Sequence, residues 1–459
     1  MRAVATALAA LCLLTTACQP SPAPRATSVD SLTVALGQDG RRESVLPGAA
    51  GQLAAPPVAS VAPTPAPAAD PVAVRALDPA SRTALADWLG RAPLPGSGTP
   101  WQPMVRDALL DLRVLTALGP PTRQSAESPS ADGGVAAGWS RPWRYVWPRD
   151  ASFAAAALAA AGHDDDAERV LAFLQRVQGD DGTFQARYLL DGRGGVPDAR
   201  GVELDGSGWV LWATEQVLAR TAPTSRPARL QRLRHLVERA AAACAREATR
   251  ADGLPPPSLD YWEVTEGSVT LGTAAPLLAG LRAAQRLLPE LGETAAAGRA
   301  GRTADRLAQT LTMRFALSGW PRRVDGQARD AAVTFVMPPY QDGVTGTGVD
   351  RGLREAWLAA QVELARPGGG LAPGGEWPQD GVSWTPETAM FALSAAAGGD
   401  RTGASSRLDW LSKHRTSAGS LPEKVLADGS PAAVAPLAWT AALVVLTVDA
   451  LDRTSAAGP

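Results

Sequence analysis

The sequence predicts an all-α protein assembled from repeated pairs of inner and outer helices. Three observations lead there. Helical hydrophobic periodicity recurs along the chain from about residue 80, β-branched runs bounded by turn signals are scarce, and one helical hairpin occurs twice. Repeated hairpins of this kind close into a toroid or stack as a solenoid.

In chain order, Arg2 precedes an apolar Ala- and Leu-rich stretch that ends at Leu14, followed by Thr15, Thr16, Ala17 and Cys18. This is the layout of a secretory signal peptide over residues 1–18. A cysteine directly after small residues resembles the bacterial lipobox. Cys18 is therefore the expected lipidation site, anchoring the protein to the outer face of the cytoplasmic membrane, with plain secretion as the alternative. Residues 19–78 are rich in Pro, Ala, Ser and Val without a helical period, the composition of a disordered linker. The folded domain is expected over 79–455. Within it, helical stretches are predicted at roughly 101–118, 151–162, 165–178, 206–221, 226–249, 273–288, 292–317, 349–365, 386–397, 402–414 and 434–453.

The repeat is visible without a gap between residues 147–193 and 384–430. Trp147 matches Trp384, Asp150 matches Glu387, Gly162 matches Gly399, Gly182 matches Gly419, and Arg187 matches Lys424. Each copy reads as a loop, an alanine-rich helix, a tight glycine turn, an amphipathic helix and a long glycine-containing loop. A helix apolar all round belongs inside and an amphipathic one outside. The short links lie within hairpins and the long ones between them, so the long loops gather at one end, where function is usually carried.

Composition narrows the chemistry. A formal charge of -2 gives no reason to expect nucleic acid as a partner. After the N-terminus no apolar run reaches the ~18 residues of a spanning helix. Three scattered histidines argue against zinc and against a histidine-based triad. Cys244, in a helical alanine run, reads as a small core residue. No cofactor is implied, and the chain is expected to be a monomer.

Three loops carry candidate chemistry. Where the first repeat copy has Ala186 the second has Glu423, an addition that the scaffold does not require. Glu263 ends the run Asp260-Tyr261-Trp262-Glu263, where aromatic neighbours would partly desolvate a carboxyl and suit it to act as an acid. The third loop crowds Trp143, Tyr145 and Trp147 beside Arg149 and Asp150. Asp150, just before an alanine-rich helix, is a natural N-cap. Aromatic faces stack on sugar rings, and Arg and Asp fork onto vicinal hydroxyls. Fourteen Trp against six Phe and four Tyr strengthens that reading, because several of the Trp fall in these loops.

The segment Trp147-Pro148-Arg149-Asp150 resembles the W-x-R-D motif of glycoside hydrolase family 15, the glucoamylase and glucodextranase family. Asp260-Tyr261-Trp262-Glu263 looks like its general-acid motif, and Gly419-Ser420-Leu421-Pro422-Glu423 followed by Leu437-Ala438-Trp439-Thr440 resembles its general-base motif. The similarity runs over roughly 100–453 in the family's order. It implies an (α/α)6 barrel and an exo-acting, inverting hydrolase that releases glucose from an oligo- or polysaccharide, with Glu263 as general acid and Glu423 as general base. Trp147, Arg149, Asp150, Tyr145, Trp262, Asp260 and Asp380 would bind the sugar. The chain departs from the family at Thr265, where an Arg is common, and at Gly375–Asp380, which lacks the Arg of an R-Y-x-x-D stretch. Two alternatives stand beside this reading: an exported glycan-binding lipoprotein with a degenerate site, and a toroid glycosidase or lyase of other specificity.

Overall fold

The computed structural model of the protein describes residues 30–31, 33–36, 42–45, 86–116, 133–138, 141–250, 252–341, 349–416 and 418–456. The expected leader and Cys18 lie outside the described residues. Within the segment read as a linker, β1 (Asp30–Ser31) is described, and so are β2 (Thr33–Leu36) and β3 (Arg42–Val45), which form an antiparallel pair.

The helices are α1 (Gln102–Leu115), α2 (Pro148–Ala160), α3 (Asp164–Val177), α4 (Asp205–Arg220), α5 (Arg226–Arg232), α6 (Arg234–Glu247), α7 (Leu271–Leu287) and α8 (Thr294–Phe315). After a 3-10 segment at Ala331–Val336 come α9 (Val349–Glu363), α10 (Thr385–Ala397), α11 (Arg401–Lys413) and α12 (Ala438–Ala456). Each predicted stretch holds a helix. The stretch at 226–249 holds two, because Leu233 interrupts the helical path while the hydrophobic period continues through it.

Six elements form the inner ring: α2, α4, α7, the 3-10 segment, α10 and α12. Each packs against the next, and α12 returns to α2. Outside them lie α3, α6, α8, α9, α11 and α1, one on each inner element. The ring is closed, so the toroid holds and the solenoid does not. Within the inner ring the 3-10 segment is the element that the periodicity does not reveal, because six residues are too few to show a period. Burial follows the layering. In α2 every residue from Pro148 to Ala159 is buried, whereas α3 buries one face, including Val170, Leu171, Phe173, Leu174 and Val177.

Both repeat copies have the same local geometry. Gly162 and Gly399 close the hairpin turns at φ 78° and 83°, a left-handed conformation that glycine adopts without cost. The antiparallel bridge Val146↔Tyr188 has its counterpart in Ser383↔Val425, where β4 (Ser383–Trp384) meets β5 (Lys424–Val425). In turn β5 pairs with β6 (Pro431–Ala432), and β1 lies parallel to β7 (Val434–Ala435).

Aromatic side chains fill the axis of the ring. The Trp209 ring lies 5.0 Å from that of Phe153, tilted to it, and 4.8 Å from that of Phe335, edge-on, and Tyr340 and Trp439 complete the plug. A filled axis makes any opening at one end a blind one. Between α4 and α7 the approach is closer than any side chain allows: a Cβ on Gly208 would lie 2.1 Å from the Pro276 carbonyl oxygen. Gly208→Ala is therefore expected to destabilise the protein by about 1–3 kcal/mol through overpacking. A melting temperature equal to that of the wild type would show that the two helices are free to separate.

Candidate active site

The N-terminal ends of the inner helices and the long loops before them enclose a cavity of about 270 Å³. Its wall includes Trp147, Arg149, Asp150, Trp262, Glu263 and Glu423, residues drawn from three loops far apart in the sequence.

Glu423 is held at its main chain from two sides. Its N–H donates to the Val434 carbonyl at 2.8 Å, and its carbonyl accepts from the Thr385 N–H at 3.0 Å. This holds the residue between the start of α10 and β7. Trp143 Nε1 donates to Glu423 Oε1 at 3.0 Å, and Lys424 Nζ lies 3.7 Å from Oε2, which has no hydrogen-bond partner. Burial pushes this carboxyl above the usual carboxylate range, opposed by Lys424 and by the Trp143 bond.

Glu263 reaches the cavity through a strained backbone. Its N–H closes a tight turn onto the Asp260 carbonyl at 2.7 Å, and its φ is 55°, a left-handed value uncommon outside glycine. The side chain is 28% exposed and contacts the Arg200 guanidinium. Beside the aromatic neighbours that the sequence implies stands a cation, Arg200, from the long loop ahead of α4.

Asp150 sits beside Arg149 on the first turn of α2. It is not the N-cap that the sequence suggested: Trp147 takes the cap position and Pro148 the first helical one, where a missing N–H costs nothing. Asp150 is therefore the third residue of the helix. Burial pushes its carboxyl up to about 6, with Arg149 opposing the rise. Arg149 is 3% exposed, donates to Glu203 at 3.0 Å and to Asp205 at 2.7 Å, and lies over the Trp439 ring. Its Nε has no hydrogen-bond partner and lies 4.0 Å from Asp150 Oδ2, while the two bonds from Nη1 help anchor α2 against α4.

Three expected sugar contacts lie elsewhere. Asp260 is fully buried, accepting from Trp262 N–H at 3.0 Å, Thr270 Oγ1 at 2.7 Å and Arg322 at 2.8 Å. It shapes the loop that carries Glu263. Asp380 is exposed in a turn of its own, accepting from the Val382 N–H. Tyr145 stands behind the wall, 4.4 Å from Arg187, whose guanidinium also lies 5.0 Å from the Trp147 ring.

The residues that sequence reasoning missed are mostly basic or second-copy. Arg187 and Arg200 both line the cavity and both bind Asp198. Lys424 is the repeat counterpart of Arg187, and it lies 4.1 Å from the ring of Trp384, the counterpart of Trp147. The repeat alignment held that signal. Trp147, Trp262, Trp384 and Trp439 each leave a buried indole N–H without a protein partner in the cavity wall. Donors so placed suit a ligand rich in hydroxyls.

No protein-family model and no curated protein matches this chain. Solved structures do. A glycosidase aligns with a TM-score of 0.63 at 19% identity, covering 76% of this chain and 96% of that one. A bacterial glucoamylase complexed with acarbose aligns at 0.59 and 16% identity, covering 76% and 55%. The glucoamylase from Saccharomycopsis fibuligera aligns at 0.61 and 13% identity, covering 82% and 97%. The likeness shows the fold, an (α/α)6 toroid.

Proposed function

We propose that the protein is an exo-acting, inverting glycoside hydrolase that releases glucose from α-glucosides or α-glucans. One observation carries this reading: two glutamates, 263 and 423, line one cavity rich in tryptophan, and one of its wall residues, Trp439, packs on the aromatic cluster inside the ring. Glycosidic cleavage needs a carboxylic acid on the leaving oxygen and a second carboxyl on the water. The solved glycosidase and glucoamylase structures that share the fold support the same class.

In this reading Glu423, fixed at its main chain and bonded to Trp143, is the base that activates water. Glu263, on the more exposed side, is the acid that protonates the leaving oxygen. A sugar entering between Arg200 and Glu263 separates that ion pair and frees the carboxyl for a proton. The small volume of the cavity, below the roughly 300–1,000 Å³ of common ligand pockets, suits a chain end better than a chain interior.

The contact between Arg200 and Glu263 is also the observation that favours a glycan-binding protein without turnover. Incubation with maltose, isomaltose, dextran and trehalose separates the two readings. Release of β-glucose from at least one of them is expected. Saccharide binding with no release from any would replace the hydrolase by the binding protein.

A further inference from the structure

The cavity holds a third glutamate that the two-carboxyl reaction leaves unused. Glu387 is the third residue of α10, lines the cavity, is 3% exposed, and has one carboxyl oxygen, Oε2, without a hydrogen-bond partner. Its counterpart in the internal repeat is Asp150, 5% exposed, at the same place on α2 and in the same wall. The neighbouring pairs are conserved between the copies as well, Arg187 over Trp147 and Lys424 over Trp384. A buried polar oxygen that the protein leaves unpaired is costly, which points to a visiting ligand as its partner.

We propose that Glu387 is a substrate-positioning residue, the second-copy equivalent of Asp150, and that it hydrogen-bonds a hydroxyl of a neutral pyranose. This inference rests on the glycosidase reading of the cavity. The groups facing Glu387 are Glu423 and Lys424 from the segment around β5, Asp330 at the head of the 3-10 segment, and Tyr261 from the Glu263 loop. From α12 the cavity wall receives only the uncharged Trp439. Burial raises the Glu387 carboxyl from its ordinary 4.5 to about 8; Glu423 and Asp330 add to the rise, and Lys424 opposes it. At neutral pH Glu387 is therefore a neutral acid with an O–H to donate. Asp150, pushed only to about 6, is mainly an acceptor there. A donor and an acceptor of this kind suit a sugar with hydroxyls and no charge. A uronate would bring its carboxylate among Asp150, Glu263 and Glu423.

Binding of D-glucose, followed through quenching of tryptophan fluorescence between pH 6 and 9, tests this. Wild-type affinity is expected to fall about tenfold or more as pH rises through 8, and D-glucuronate is expected to bind at least tenfold more weakly than glucose. Glu387→Ala should lose about tenfold at pH 6. Glu387→Gln, which keeps a donor and cannot ionise, should restore most of that affinity and flatten the pH dependence. Unchanged affinity in Glu387→Ala, or a pH dependence that persists in Glu387→Gln, overturns the role of Glu387 alone. If the alanine variant does not fold, the glutamine variant decides by itself. A wild type that binds no glucose overturns the glycosidase reading and this inference with it.

Discussion

Glu263→Gln is expected to lower glucose release by two to four orders of magnitude, the usual contribution of a positioned acid or base. Glutamine fills the same volume and keeps a hydrogen bond, but it has no proton to give to a leaving oxygen. Glu423→Gln should lose as much for the opposite reason, since an amide does not accept a proton from water. The substrate tells the two apart. A 4-nitrophenyl glucoside has a leaving group that needs little proton assistance, so Glu263→Gln should lose much less on it than on the saccharide that the wild type hydrolyses, while Glu423→Gln should lose on both. The double variant should fall little below either single one, because the two groups act in one step. Neither change should cost much stability: Glu263 is partly exposed, and Glu423 is held by main-chain bonds that glutamine keeps. A Glu263→Gln protein retaining more than about a tenth of the activity on the saccharide that the wild type hydrolyses would remove Glu263 from the chemistry.

The second large effect concerns Arg322, whose side chain is 1% exposed. It donates to Asp330 at 2.7 Å and to Asp260 and Glu266 at 2.8 Å each, and its guanidinium lies 3.8 Å from the Trp262 ring. One cation thus serves three buried carboxyls and supports the loop that carries Glu263. Arg322→Met keeps the length and removes the charge, leaving Asp260 and Asp330 without a cation in a dry site, while Glu266 keeps Arg323. The expected cost is about 3–5 kcal/mol, seen as a lower urea midpoint with the slope unchanged. The sign of its pH dependence follows from linkage. Asp330, already pushed up to about 6 by burial, would rise further without Arg322. A carboxyl whose folded-state value is raised contributes stability at low pH and loses it as pH climbs through that value. The deficit should therefore be smaller at pH 5 than at pH 8. Arg323→Met, which breaks a more exposed pairing with Glu266 and Glu376, should cost under about 1 kcal/mol. An Arg322→Met midpoint equal to that of the wild type would show that the loop is held by something else.

Much of this molecule was legible in the sequence. Periodicity located every long helix, because a helix face is a property of residues three and four apart. The gapless match of 147–193 to 384–430 exposed the hairpin unit, and with it the shared setting of Trp147 and Trp384. Periodicity and the repeat left a toroid and a solenoid open, since the inner 3-10 segment Ala331–Val336 is too short to leave a period, and only the family resemblance implied the closed ring. The division of labour among neighbours in one motif was not visible in the sequence. Asp260 and Glu263 are three residues apart, yet the tight turn and Arg322 bury the first and send the second into the cavity. Asp150 and Arg149 read as equal sugar ligands, and only the packing of α2 on α4 brings Glu203 and Asp205 to Arg149. Arg187 is marked only by its repeat partner Lys424 and Arg200 by nothing, yet both line the cavity.

Local chemistry therefore wrote the helices, their layers and the identity of the acidic loops into the chain, since turns, caps and amphipathic faces depend on near neighbours alone. The tertiary structure decided which carboxyls meet a cation, which are left bare and which are merely buried. Many of those outcomes depend on contacts between residues far apart in the chain, such as Arg149 with Glu203 and Trp143 with Glu423. Burial and Coulomb energy act through space, and a closed ring brings such residues together without any trace in their spacing.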